Sequence, residues 1–168
     1  MLCKDAKMTT CLPQGSGTRW LIVTAAMLLG VTATTVVSAQ DANWIWCADH
    51  EPGKAPIGAC HFRKSVTIRS LESANLAVAA DDSFEIRING RSIGSGSGYR
   101  RLNEFDITRF LSRGRNVIAI RVVNSQGTTA GLVARVQIKE ERGGWQSHST
   151  DSSWKTSLSP LPLWDTSI

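Results

Sequence analysis

Two adjacent carboxylates, Asp81 and Asp82, are the residues that most invite a chemical reading. Paired acids are the working groups of glycoside hydrolysis, where the two must flank one scissile bond. Neighbouring residues on a strand project to opposite faces, so Asp81 and Asp82 cannot easily do that. They read instead as an Asx-type turn at the mouth of a strand, or as acceptors for sugar hydroxyl protons. Asp49-His50 and His148-Ser149 supply fragments of a Ser/His/Asp hydrolase, but the sequence has no G-x-S-x-G elbow. The expectation is therefore no enzyme. Gly94, Gly96 and Gly98 resemble a phosphate cradle, yet such a run must open a helix. Here Tyr99-Arg100-Arg101-Leu102 follows, so the run reads as an exposed, flexible loop. Within it a tyrosine can stack on a pyranose and arginines can hold hydroxyls or a carboxylate. Asp81, Asp82, Tyr99, Arg100 and Arg101 make up the candidate ligand-binding set.

The cysteines and histidines point to a crosslink rather than a metal. Cys47 and Cys60 have twelve residues between them, and a disulfide pinning that loop is the leading assignment, with two free thiols as the alternative. Cys60-His61 suggests haem attachment, but the C-x-x-C-H pattern would need a cysteine at Ile57. His50, His61 and His148 lack the spacing of a tetrahedral zinc site. Neither a metal nor a cofactor is expected.

The first forty residues have a different character. Lys4, Lys7 and Arg19 precede an uncharged stretch, 20–40, that holds the apolar block 21–30 and the small residues Val37-Ser38-Ala39. That is the order of a secretory signal, expected over 1–39 with the domain at 40–168. Met8 offers an alternative start. Secretion or periplasmic export follows, and Cys3 and Cys11 leave with the signal. If it is not cleaved, the segment anchors the chain to a membrane. Removing 1–39 takes away three basic residues and one acidic one, so the formal net charge falls from +5 to +3. Twelve of the sixteen remaining basic residues are Arg, which mildly favours an anionic partner. A nucleic-acid face needs a dense basic stripe with stacking aromatics. Only Arg100-Arg101 and Arg113/Arg115 come near one, so nucleic acid is not an expected partner.

The elements that must carry these residues are strands. Short alternating stretches separated by Gly, Asn, Asp and Ser signal an all-β sandwich. His61–Arg69, Asn75–Ala80 and Phe84–Asn89 are the first expected strands, with Phe84, Ile86 and Ile88 inward and Glu85, which has no evident partner, on the solvent face. Asn89-Gly90 is a tight-turn dipeptide, and Arg91-Ser92-Ile93 begins the return. Asp106–Leu111 is expected to form one helical turn capped by Asp106 or Thr108. Asn116–Asn124 is almost continuously apolar and so central. Gly131–Lys139 places Leu132, Ala134, Val136 and Ile138 inward. Residues 140–149 read as a turn and Asp151–Ser157 as an edge strand. Among the six tryptophans, Trp20 falls in the signal and Trp44 and Trp46 are expected to pack at the base of the sandwich; Trp145, Trp154 and Trp164 lie near the edge or C-terminus, where one can be exposed, and each is read as core before stacking platform.

Taken in order, these segments resemble a known domain. Trp44-Ile45-Trp46 followed by Cys60-His61-Phe62-Arg63-Lys64 is similar to the opening of the N-terminal domain of bacterial α-L-rhamnosidases. Ala80-Asp81-Asp82-Ser83-Phe84 through Asn89-Gly90 resembles its central hairpin. Phe105-Asp106-Ile107-Thr108 with Gly114-Arg115-Asn116 resembles a segment shared with the sugar-binding domains of family 2 β-glycosidases. Gly131-Leu132 and Thr150-Asp151 through Trp154-Lys155 match the closing strands. The similarity covers about 43–164. It implies a galactose-binding-like jelly-roll β-sandwich and a non-catalytic accessory module that binds carbohydrate. The alternative is a structural or protein-interaction module without a sugar ligand, docking for example on a glycosidase catalytic domain, because a jelly roll does not fix its ligand. In that family the domain precedes a catalytic region, so a free-standing module and a truncated reading frame both stay open.

Overall fold

A computed structural model describes residues 42–47, 50–51 and 53–166. The expected signal over 1–39, with Cys3 and Cys11, lies outside the described residues, as does Asp49. Among the described residues no helix is long and apolar enough to cross a membrane.

The described residues form nine strands: β1 (Gly58–Ile68), β2 (Ser73–Asp81), β3 (Ser83–Ile88), β4 (Arg91–Ser97), β5 (Asn103–Asp106), β6 (Gly114–Asn124), β7 (Gly131–Lys139), β8 (Trp145–Ser149) and β9 (Lys155–Ser157). A single 3-10 turn, Thr108–Phe110, precedes β6. One sheet runs β4-β3-β6-β1-β9 and the other β5-β2-β7-β8. Every pairing is antiparallel.

Alternation decides which faces meet, because residues two apart on a strand share a side. Phe62, Val66 and Ile68 of β1, Phe84, Ile86 and Ile88 of β3, and Ile118, Ile120 and Val122 of β6 form one inner face. Leu76, Val78 and Ala80 of β2 with Leu132, Ala134, Val136 and Ile138 of β7 form the other. The inward residues expected for β3 and β7 are those found. As expected, β6 is central, between β3 and β1. Its apolar run has a second cause: Ala119, on the outer face, is buried beneath the segment 160–165.

Several edge elements differ from expectation. The glycine run is not a loop, since Gly94 and Gly96 lie within β4. A Cβ at Gly96 would sit 2.6 Å from the Phe84 ring, and one at Gly94 would sit 2.7 Å from Phe105. Glycine is there to make room for two aromatic rings. Residues 145–149 form β8 rather than a turn. Their sequence, Trp-Gln-Ser-His-Ser, lacks the apolar alternation that would betray a strand, because β8 is an edge. Only Lys155–Ser157 of the expected closing strand pairs, against β1. Glu85 does have a partner, with its carboxylate 3.5 Å from the Arg121 guanidinium.

Local chemistry fixes the turns. Asn89 (φ 49°) and Gly90 (φ 80°) both take left-handed conformations, as a two-residue hairpin turn requires. Asp106 accepts the Thr108 N–H at 2.9 Å, while the Thr108 hydroxyl accepts the Ala74 N–H at 2.9 Å and ties the turn to β2. Asn116 is fully buried. Its amide donates to the Ser112 and Gly114 carbonyls at 2.7 and 3.0 Å and accepts from Ser112 N and Asn89 Nδ2, each at 2.9 Å. Cys47 and Cys60 are joined by a disulfide, with Cα atoms 6.1 Å apart. Trp154 is core, its indole N–H donating to the Ser149 carbonyl at 3.0 Å. Trp46 packs on Phe62, ring centroids 5.8 Å apart.

Truncating Asn116 empties a buried site and removes the amide that joins Ser112, Gly114 and Asn89. Asn116→Ala is expected to lower the free energy of unfolding in urea by about 2–4 kcal/mol, whereas Arg115→Ala, on the exposed side of the same strand, should change it by less than about 0.5 kcal/mol.

Candidate functional site

The chain passes from one sheet to the other between β2 and β3, and only Asp82 separates them. The Asp81–Asp82 peptide is cis. Asp82 makes four contacts at this crossing. Its N–H donates to the Val123 carbonyl at 3.0 Å, and its own carbonyl accepts the Gly98 N–H at 2.7 Å. Its carboxylate accepts both the N–H (2.8 Å) and the hydroxyl of Ser125. The end of β6, the loop after β6 and the loop carrying Tyr99 are thereby held together.

Strand alternation suggests that Asp81 and Asp82 diverge. The two carboxyl groups stay near enough to perturb each other's titration. Asp82 lies outside both strands, so the rule of opposite faces does not reach it. Their environments nevertheless split them. Partial burial, and then the hydrogen bond to Asp82, hold the Asp81 carboxyl above its ordinary pKa. The hydroxyl and N–H of Ser125 hold Asp82 below its own. Asp81 also accepts the Thr129 hydroxyl at 3.1 Å.

Asp81 opens onto a cleft of ≈ 340 Å³ lined by Trp44, Tyr99, Thr129, Ala130 and Gly131. Trp44 is 52% and Tyr99 50% exposed, so both rings meet solvent. Trp44 therefore does not pack at the base of the sandwich as its position before β1 suggests. It is carried across the end of β7 by the paired backbone bonds of Ile45 and Leu132, at 3.0 and 2.9 Å. Its ring lies on the backbone of Gly131, where a Cβ would stand 2.8 Å from the indole. Any other residue at 131 would push the ring away. The signal for this was in the sequence, a glycine opening a strand, but nothing local names its partner.

Of the five expected ligand residues, Asp81 and Tyr99 share this cleft. Asp82 stands behind it, its carboxylate engaged by Ser125. Arg100 reaches the cleft through Tyr99, its guanidinium 5.4 Å from the ring centroid and its Nε 3.2 Å from the hydroxyl. Arg101 is exposed on the same loop but does not line the cleft. Trp44 and Thr129 are the additions. Among the described residues, no group of three or more His, Cys, Asp or Glu converges as a metal site would require. A second cleft of similar volume lies on the outer face of the five-stranded sheet under residues 160–165. Its two arginines are already paired, Arg87 with Asp165 at 2.8 Å and Arg121 with Glu85.

Two antiparallel sheets around one core, with an aromatic cleft where the chain changes sheets, define a galactose-binding-like β-sandwich. Solved structures agree. The chain is similar to a lectin from Pleurotus ostreatus in complex with GalNAc, at 34% identity and a TM-score of 0.70, covering 76% of this chain and 38% of the lectin. It shares its fold with an α-L-rhamnosidase from Streptomyces avermitilis complexed with L-rhamnose, at 24% identity and a TM-score of 0.69, over 75% of this chain and 13% of that one. An α-L-rhamnosidase from Aspergillus terreus is similar at 26% identity, with a TM-score of 0.54, over 65% and 16%. The chain thus spans under two-fifths of the lectin and about an eighth of the Streptomyces rhamnosidase. No protein-family model and no curated protein matches it.

Two outcomes follow. Gly131→Ala displaces the Trp44 ring, which should change near-UV circular dichroism and tryptophan emission with less than about 1 kcal/mol lost in stability; Trp44→Phe should abolish that spectral response. Asp82 has a folded-state pKa below its unfolded value, so its contribution to stability is present above the ordinary carboxylate range. That contribution is lost as pH falls through the depressed value, from about pH 5 down towards pH 2. Urea denaturation across that window should show a shallower acid loss in Asp82→Asn than in the unaltered chain.

Proposed function

We propose that the chain is a non-catalytic carbohydrate-binding module of an exported protein, with its ligand at the Trp44/Tyr99/Asp81 cleft. The observation that carries this is the convergence of two half-exposed aromatic rings with a carboxyl and a hydroxyl, Asp81 and Thr129, in one open cleft. A sugar presents an apolar C–H face and a rim of hydroxyls, and rings plus acceptors match both. The lectin resemblance supports the reading, since that protein is seen with GalNAc. The Cys47–Cys60 disulfide fits an oxidising compartment. Catalysis has no comparable support: the Asp82 carboxylate is taken up by Ser125, and only Asp81 of the pair lines the cleft, whereas glycoside hydrolysis needs two carboxyl groups flanking one bond.

A glycan array probed with the chain tests this. Binding to galactose-, rhamnose- or uronate-bearing glycans is expected, weakened about tenfold or more by Trp44→Ala and by Asp81→Asn. Loss of the Asp81 charge on acidification should weaken binding as pH falls through its raised pKa, and Asp81→Asn should remove that dependence. Titrations with and without millimolar calcium keep a cation requirement from masking the result. Silence across the array ends the proposal.

One observation favours the alternative of a docking module. Leu158, Leu161 and Leu163 are 57, 79 and 62% exposed within six residues of one another, and clustered exposed apolar side chains mark protein contacts. They lie apart from the lining of the sugar cleft, so Leu161→Ser with Leu163→Ser should leave sugar binding unchanged.

A further inference from the structure

Two clefts have Trp44 in their lining. Beyond the one shared with Asp81 and Tyr99, a second of ≈ 350 Å³ is lined by Trp46, His50, Gly53 and Thr128, and it has Trp44, Thr129 and Ala130 in common with the first. The two are contiguous, and one aromatic side chain with one threonine forms their shared wall.

The second cleft has groups suited to a polyhydroxylated ligand and a rigid support behind them. His50 Nδ1 lies 3.2 Å from the Cys47 carbonyl. A carbonyl only accepts, so Nδ1 carries the proton and Nε2 is left as an acceptor. Cys47 is fixed to β1 through its disulfide to Cys60. The Ala55 N–H donates to the Thr128 carbonyl at 3.2 Å, joining the loop before β1 to the loop after β6. The Thr128 side chain is left exposed to solvent. Trp46 lines this cleft with its ring, its indole N–H being buried away from solvent.

We infer that the site has two adjoining sugar subsites with Trp44 in their shared wall, and that its ligand is a glycan of at least two linked rings. This rests on the proposed carbohydrate function and extends it from one sugar to a chain. The terminal residue sits against Asp81 and Tyr99, where a carboxylate can hold a pair of hydroxyls. The next residue sits against Trp46, His50 and Thr128. One or two added hydrogen bonds correspond to a gain of about tenfold in affinity.

Isothermal titration of the full chain with GalNAc, with L-rhamnose and with disaccharides carrying each at the non-reducing end tests the inference. The disaccharide of whichever sugar binds should bind about tenfold tighter than its monosaccharide. His50→Ala and Thr128→Ala should each shrink that margin while leaving the monosaccharide Kd and the thermal midpoint unchanged. Equal Kd values for monosaccharide and disaccharide would overturn the second subsite and leave the first cleft standing as a sugar site. No heat from any of the four probes would overturn the inference as stated, and the glycan array decides separately whether the first cleft binds sugar at all.

Discussion

A chain that crosses between two sheets at one residue must satisfy that residue's polar groups immediately. Asp82 does so by bonding to three segments: its N–H to Val123, its carbonyl to Gly98, its carboxylate to Ser125. Each segment brings something to the candidate site. Gly98 precedes Tyr99, Ser125 begins the loop that ends in Thr129, and the crossing itself presents Asp81. A charge-assisted bond to a backbone N–H is among the stronger hydrogen bonds a surface loop can make. The Ser125 hydroxyl, and then its N–H, also hold the Asp82 pKa below its ordinary value. Holding the loops falls to Asp82 and lining the cleft to Asp81, two neighbouring aspartates of the same chemical type.

The second dependence is on space. The sandwich places its large side chains by leaving out small ones: Gly94 and Gly96 in β4 clear room for Phe105 and Phe84, and Gly131 in β7 clears room for Trp44. The first two build the core beneath the Tyr99 loop and the third builds the cleft. The disulfide from Cys47 to β1 and the packing of Trp46 on Phe62 hold the Trp44–Trp46 segment from the other side. Rigidity matters here because aromatic platforms ordered before the ligand arrives reduce the entropy cost of binding.

The fold was largely legible in the sequence and the site only partly so. Period-two alternation in β3 and β7 and the unbroken apolar run of β6 identified their inner faces, because burial on one side or on both writes itself into residue type. The Asn89-Gly90 turn and the anchoring of β6 by Asn116 were readable for the same local reason. The edges β4 and β8 were not, since an edge strand needs little apolar content and glycine in β4 serves an aromatic ring far along the chain. In the site, Asp81 and Tyr99 were visible as residue types that suit a sugar. Trp44 was misplaced because its exposure depends on Gly131, eighty-seven positions away, and no local pattern links the two. The mutual influence of the Asp81 and Asp82 carboxyl groups was not legible because strand alternation does not extend to a residue that lies between strands.

Whether a sugar occupies the cleft between Trp44, Tyr99 and Asp81, as proposed, can be decided by a crystal structure of the chain soaked with GalNAc or L-rhamnose. A pyranose ring is expected against Trp44 or Tyr99, with at least one hydroxyl within hydrogen-bond distance of the Asp81 carboxyl. A sugar seated only in the outer-face cleft beside Trp164, or an aromatic cleft that stays without sugar while the protein binds it in solution, would overturn that placement.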